Sequence, residues 1–304
     1  MDQIGHILSR IPQFAGRPAD AFTVERLGGL TNRNYRITVD GECFTLRIPG
    51  DGTSEYIDRQ AERHNAHVAA DAGVNAEVVF FDPSDGLQLT RFIDDAVTMD
   101  AERFRDLGAV ARAAEALRRI HCCGGEFASR FDLFGMMDGY LDLLRRKQAW
   151  VPEGYEIVQR EAEAVRDALG RRPAPLVPCH CDPLAENFLD TGRRMYVVDW
   201  EYAGNNDPMW DLADLSVEAG FDAEQDAALL NAYFGGTPPA EQVGRMVMYK
   251  AMCDLLWTLW GAIQLANQNP ADDFRAYAAN RFERCKSLMA MPDFQRHLEA
   301  VRKG

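Results

Sequence analysis

The chain has 304 residues, 47% hydrophobic and 26% charged, which is enough for one large or two small domains with a substantial core. Its net charge of −14 argues against a nucleic-acid partner, whose binding rests on cationic contacts, and is compatible with a cationic substrate. No apolar run approaches the ~20 residues of a membrane-spanning helix, and Asp2 and His6 interrupt any basic-then-apolar export signal, so a cytoplasmic protein without membrane insertion is expected.

In chain order, residues 1–20 read as a short helix and a proline-containing entry. A strand over 22–27 leads into Gly28-Gly29-Leu30-Thr31-Asn32-Arg33-Asn34-Tyr35, and a second strand runs over 35–39. Asp40-Gly41 is a two-residue hairpin signal, followed by a third strand over 43–48 that ends at Pro49-Gly50. The result is a small antiparallel sheet with a glycine loop able to fold over phosphates; the Walker pattern G-x-x-x-x-G-K-[ST] is absent. A helix over 54–72 stops at Gly73, a suitable residue beyond a helix end. Strands over 77–81 and 86–92 complete the N-terminal part, and the lobe boundary is placed between 93 and 94. Helices follow over 100–121, 135–150, 154–169, 210–219, 223–234, 240–266 and 272–288, with strands only around 176–180 and in a hairpin near 188–199. Seven cysteines, an odd number, include vicinal Cys122-Cys123 and the tight pair Cys179-x-Cys181. Neither has C-x-x-C spacing, and reduced thiols are expected.

The chemistry concentrates between His180 and Trp200. Asp182 and Asn187 are separated by four residues, His180 lies two before the aspartate, and Asp199 follows a short apolar run. The spacing matches the H-x-D-x-x-x-x-N loop and later metal-binding Asp of kinases. Phosphoryl transfer needs an acceptor held in line and charge neutralised by Mg²⁺. That ion takes hard oxygens, which Asn187 and Asp199 can supply, and Asp182 can then accept the proton of an attacking hydroxyl. Alternatively, Asp182 and Asn187 make local turn hydrogen bonds and Asp199 caps a strand.

Together with Val-Val-Asp-Trp-Glu-Tyr-Ala-Gly, Gly-Gly-Leu-Thr-Asn-Arg-Asn-Tyr and Leu-Arg-Ile-Pro-Gly, this loop resembles the choline/ethanolamine kinases over nearly the whole chain. These share a protein-kinase-like fold with the aminoglycoside phosphotransferases. The resemblance implies an α+β, two-lobe protein: a β-rich nucleotide-binding lobe over 1–93 and a mainly helical catalytic and acceptor-binding lobe over 94–304. It implies ATP and Mg²⁺ as cofactors, Asp182 as the base, and Asn187 and Asp199 as metal ligands. Arg47 would take the place of the kinase strand lysine, paired with Glu62 or alternatively Glu55. Gly28, Gly29, Thr31, Asn32 and Asn34 would surround the phosphates, and Thr90 and Phe92 would lie near the adenine.

A quaternary ammonium has no N–H to donate, so aromatic faces must recognise it. Trp257 and Trp260, three apart on one helix, share a face. Tyr277 lies seventeen residues past Trp260, and Glu218 nineteen past Asp199. The resemblance makes these four the acceptor pocket, with Phe221 as an additional wall; His180 would orient the loop, and Asp211 would buttress the loop or cap its own helix. Glu201 would add a carboxylate near the metals. Cys181 and Pro183 depart from the residues usual beside the catalytic acid. A helix beginning near Asp211 leaves little room for a peptide-docking loop, so a small acceptor is expected. Choline is favoured, ethanolamine, thiamine or an aminoglycoside are alternatives, and a non-catalytic nucleotide-binding protein is the rival of another class. A homodimer is left open.

Overall fold

The computed structural model describes residues 2–28, 32–50 and 57–304. After a short helix α1 (Asp2–Ser9), strands β1 (Thr23–Arg26), β2 (Arg33–Val39) and β3 (Glu42–Ile48) run antiparallel, and helix α2 (Arg59–Asp71) follows. β4 (Val78–Asp82) and β5 (Leu87–Arg91) then complete a five-stranded sheet in the order β1-β2-β3-β5-β4. The β2–β3 turn is Asp40-Gly41, with φ of 51° and 79°, the positive pair that a tight primed turn demands. Every second residue of the central strands points to one face, so Ile37, Val39, Phe44, Leu46, Leu87 and Leu89 form a small core. Leu8, Ile11 and Phe14 close it from below.

α2 joins this sheet to the rest. Asp58 caps it by accepting from the Gln60 and Ala61 amides, and so sets its start at Arg59; residues 54–56 of the expected 54–72 helix lie outside the described residues. Ala66 and Ala69 of α2 pack into the second, larger core, while Glu62 belongs to the side facing β3.

The second body opens with β6 (Val97–Thr98), then α3 (Leu107–His121), α4 (Leu133–Arg146) and α5 (Tyr155–Arg171). The expected helix over 100–121 is shorter because Asp106 accepts from the Gly108 amide and caps it there; a single tight turn at Arg103–Arg105 precedes it. β7 (Val177–Cys179), β8 (Phe188–Asp190), β9 (Met195–Val197) and β10 (Gly204–Asn206) carry the catalytic segment. β8 and β9 form the expected hairpin, with β6 added beside β8, and β10 pairs with β7. α6 (Met209–Glu218), α7 (Ala223–Phe234), α8 (Ala240–Ala266), α9 (Phe274–Met289) and α10 (Pro292–Lys303) finish the chain. α10, β6 and β10 were not expected from the sequence.

α8 is the axis of this body. It packs against α4, α6, α9 and α10, and its burial from Met246 to Ile263 explains why it is apolar nearly all round. No helix among the described residues is long and apolar enough to cross a membrane.

Candidate active site

The loop after β7 is held by the first turn of α6. Asp211, fully buried, accepts from the His180 amide at 2.7 Å and the Cys181 amide at 2.8 Å, and bonds His121 Nε2 at 3.0 Å. Trp210 Nε1 donates to the Cys181 carbonyl at 3.1 Å. These bonds hold Cys181 at φ 69°, a left-handed conformation uncommon outside glycine. His180 Nδ1 accepts from the Asp182 amide at 3.4 Å and Nε2 donates to the Val198 carbonyl at 2.9 Å. Burial lowers the His180 pKa, so the neutral ring serves as a brace between the loop and the strand end. Asn187 Nδ2 donates to the Asp182 carbonyl at 3.1 Å, and the Val198 amide donates to the Asn187 carbonyl at 2.9 Å. The spacing read in the sequence thus brings Asp182, Asn187 and the segment ending at Asp199 into one place.

Asp199, at φ 70°, meets the other body. Asn32 Nδ2 donates to its Oδ2 at 3.0 Å, and the Arg47 guanidinium bonds both Asp199 and Glu62. Arg47 and Glu62 are 6% and 2% exposed, so Arg47 is not a solvent-facing strand residue, and of its two expected partners Glu62 is present while Glu55 lies outside the described residues. Arg59 Nη1 lies 2.6 Å from Glu62 and 3.2 Å from Glu201. Carboxylate oxygens of Glu62, Asp199 and Glu201 fall within 4.8 Å of one another. Hard oxygens are what a magnesium ion takes, but both oxygens of Glu62 already bond Arg47 and Arg59, and Asn187 is not in this set.

Electrostatics follow from burial and like charge. Burial, then the charges of Glu218, Asp199 and Glu201, push the Asp182 carboxyl well above its usual range. Burial and Asp199 push Glu201 up to about 7. Burial opposes the charge of Arg47, but Glu62 and Asp199 outweigh it and hold the guanidinium protonated.

The remaining nucleotide-side expectations divide. Gly28 is exposed in the loop before β2, whereas Gly29 and Thr31 lie outside the described residues. Asn32 is 3% exposed; besides donating to Asp199 it accepts from the Gly50 amide at 3.2 Å. Asn34 stands opposite Arg47 in the β2–β3 register, and Thr90 opposite Thr45. Phe92 lies just past β5 with the Arg36 guanidinium 4.5 Å over its ring. Asn34, Thr90 and Phe92 make no hydrogen bond to the acids among the described residues.

Near Asp182, whose charge bears on Tyr277, rings gather. Trp257 and Trp260 of α8 meet edge to face at 6.3 Å, and Trp260 meets Tyr277 of α9 at 5.7 Å. Tyr202 adds an edge to Trp257 at 5.8 Å. Gly261 permits this packing: a Cβ there would lie 2.7 Å from Tyr277 Cδ1. Glu218 ends α6 beside these rings, with Oε1 2.7 Å from Arg281 Nη1 and Oε2 accepting from Nη2 at 2.7 Å. Arg281 also lies 4.5 Å over the Tyr277 ring. Phe221 is elsewhere: its ring packs on Phe104 at 5.4 Å in the core, because the chain turns away after α6.

Sequence reasoning missed Arg59, Asp214, Cys253 and Arg281. Two of them had a signal. Asp214 is four residues before Glu218 and Arg281 four after Tyr277, the helical spacing that places side chains on one face.

The sequence profile of the phosphotransferase enzyme family matches residues 23–243. A solved choline/ethanolamine kinase family protein from Mesorhizobium loti is 54% identical, with a TM-score of 0.91, over 100% of this chain and 99% of that one. Choline kinase LicA from Streptococcus pneumoniae is 28% identical, with a TM-score of 0.80, over 95% and 99%. Protein LicA of Haemophilus influenzae is 28% identical over 269 residues, 86% of this chain and 78% of that protein. The two bodies described above are the lobes of a protein-kinase-like fold, and the chain belongs to the phosphotransferase enzyme family, among the choline/ethanolamine kinases, as a kinase acting on an alcohol group.

Proposed function

We propose that the protein transfers the γ-phosphoryl group of ATP to the hydroxyl of choline. The observation that carries this reading is the ring group of Trp257, Trp260 and Tyr277, set with Glu218 beside Asp182. Aromatic faces attract a cation that has no N–H donor, and the nearby acids favour positive charge. An aminoglycoside, with several amines, would call for several carboxylates rather than rings.

In this reading Asp182 accepts the hydroxyl proton as the oxygen bonds to phosphorus, and the bond to the β-phosphate oxygen breaks to leave ADP. Asn187 and Asp199, with Glu201 and Glu62 close by, would hold Mg²⁺, which supplies charge neutralisation at the phosphates when bound. Arg47 and the loop around Gly28 and Asn32 would position the nucleotide, and Thr90 and Phe92 would lie near its base. The elevated pKa of Asp182 suits a proton acceptor whose negative neighbours disfavour its own charge.

A coupled ADP-release assay with choline, ethanolamine, thiamine and an aminoglycoside tests this. Turnover highest with choline, and abolished in Asp182→Asn, is the expected result. No turnover with choline above the Asp182→Asn background overturns it.

A further inference from the structure

Charged side chains of alternating sign run in one series across the lobes. Asp199 bonds Arg47, Arg47 bonds Glu62, Glu62 bonds Arg59, and Arg59 bonds Glu201. The two ends belong to the segment after β9, and the middle members to β3 and α2. The series bends back on itself, because oxygens of Asp199 and Glu201 lie within 4.8 Å of each other. Like charges that close repel, yet each is held in place by a different arginine. Both oxygens of Glu62 are taken by those arginines. Glu201 Oε1 makes no hydrogen bond among the described residues. The side chains of Asp199 and Glu201 are 26% and 9% exposed, against 1% for Glu62, so the end acids are open to an ion from the cleft and the middle one is shielded.

Arg59 opens α2 and is 5% exposed. Its Nη1 donates to Glu62 Oε2 at 2.6 Å and to Glu201 Oε2 at 3.2 Å. Among the described residues it is the one side chain that hydrogen-bonds Glu201. The β4–β5 turn lies against its stem: Gly86 has φ 81°, and a Cβ there would sit 2.8 Å from Arg59 Cδ. Docking of α2 has a separate hold. Asn65, fully buried, donates from Nδ2 to the Ala203 carbonyl at 2.8 Å, and its Oδ1 accepts from the Ala128 amide at 2.9 Å. The contact of Arg59 with Glu201 is thus additional to what fastens the helix.

We propose that Arg59 is a positioning residue for the divalent ion: it holds Glu201 beside Asp199 at the open end of the series, where a divalent cation would complete the alternation of sign. Glu62 is then the link between the two arginines and not a ligand. A group that orients a ligand governs metal affinity without touching the metal. The proposal rests on the divalent-ion reading above and is independent of which alcohol accepts the phosphoryl group.

The experiment measures manganese binding with ADP present, above that of ADP alone, from the paramagnetic resonance of the free ion; it needs no turnover. Arg59→Met keeps the bulk of the stem and removes the charge. It is expected to weaken manganese affinity by about tenfold to a hundredfold, the usual worth of a group that orients a ligand. Arg59→Lys should recover part of that loss, since the charge returns without the planar fork. Glu201→Gln should lose at least as much as Arg59→Met, and adding Arg59→Met to it should cost nothing more, because Arg59 acts through Glu201. Asn65→Ala loosens α2 without touching Glu201; it should lower the melting temperature and leave manganese affinity within about twofold of wild type. If Arg59→Met does not fold, Arg59→Lys alone and in the Glu201→Gln background gives the same comparison. The proposal is overturned if the Arg59 variant binds manganese as wild type does, if its loss persists in full beside Glu201→Gln, or if Asn65→Ala weakens binding as much. A wild type that binds no manganese with ADP refutes the divalent-ion reading and this proposal together, whereas binding that Arg59 does not influence refutes this proposal alone.

Discussion

The two ends of the cleft are built in opposite ways. At the phosphate end, Asn32 and Arg47 come from the sheet, Glu62 and Arg59 from α2, and Asp199 and Glu201 from the segment after β9. Charge draws these groups together from both lobes. At the acceptor end, Glu218 and Asp214 of α6, Trp257 and Trp260 of α8, and Tyr277 and Arg281 of α9 all belong to the helical lobe. Packing holds them, around the buried helix α8. The arrangement of the first end depends on how the lobes sit against each other, whereas the second is fixed when one core folds. On the proposed reading, the nucleotide would bind at the end that joins the two lobes and the alcohol at the end that a single core holds.

Substitutions can break this contrast, and the largest effect is expected between the two ends. Asp182→Asn should lower kcat by about a hundredfold to ten-thousandfold, the usual contribution of a positioned base, with the melting temperature nearly unchanged. Next, Glu62→Gln removes a shared partner from the buried guanidinium groups of Arg47 and Arg59. Breaking such a pair costs about 3–5 kcal/mol, which a urea titration would read, and ADP affinity should fall while choline protection persists. If choline protection falls equally, the ends are not independent. Gly261→Ala probes the other side: the new Cβ would press on the Tyr277 ring, costing about 1–3 kcal/mol of stability. It should raise KM for the alcohol and leave ADP binding alone. Trp260→Ala should cost about 0.5–2 kcal/mol in choline binding if its face contacts the ammonium, measured as KM against an unchanged kcat. The smallest effect belongs to a control away from the cleft, where Arg10 of the chain entry bridges Asp82 and Asp85 at 2.6 Å each. Hydrogen bonds from Ser84, then Arg10, hold the Asp82 carboxyl down to about 2. Its contribution is therefore complete above the unfolded value near ~4 and fades as pH falls toward the folded one. Asp82→Asn should cost at most about 1 kcal/mol at neutral pH and flatten that part of the acid unfolding curve, with kinetics unaltered.

Much of the architecture could be read because local chemistry and tertiary structure agree. Ala223–Phe234 and Ala240–Ala266 match the expected helices residue for residue: Asp222 and Gln225 form a capping box before the first, and Pro239 precedes the second. The Asp40-Gly41 turn fixed the register of β2 on β3, and with it the place of Arg47 opposite Asn34. The start of α3 was misread because Asp100 and Asp106 are both credible caps, and only packing decides between them. Asp214 and Arg281 escaped notice for a different reason. A charged residue inside a helix ordinarily marks a solvated face, and here the convergence of α6, α8 and α9 buries both. Asn32 was expected among the phosphate contacts, but its bond to Asp199 spans 167 positions and has no local signature.

That asparagine has a thermodynamic consequence. One amide reaches Asp199 with its nitrogen and the Gly50 backbone with its oxygen. The mouth of the glycine loop, the end of β3 and a candidate metal-binding acid are thereby clipped to a single side chain. Whatever fixes the acid also fixes Asn32 and the end of β3, so divalent-ion affinity and nucleotide affinity should be linked reciprocally, each strengthening the other by the same factor.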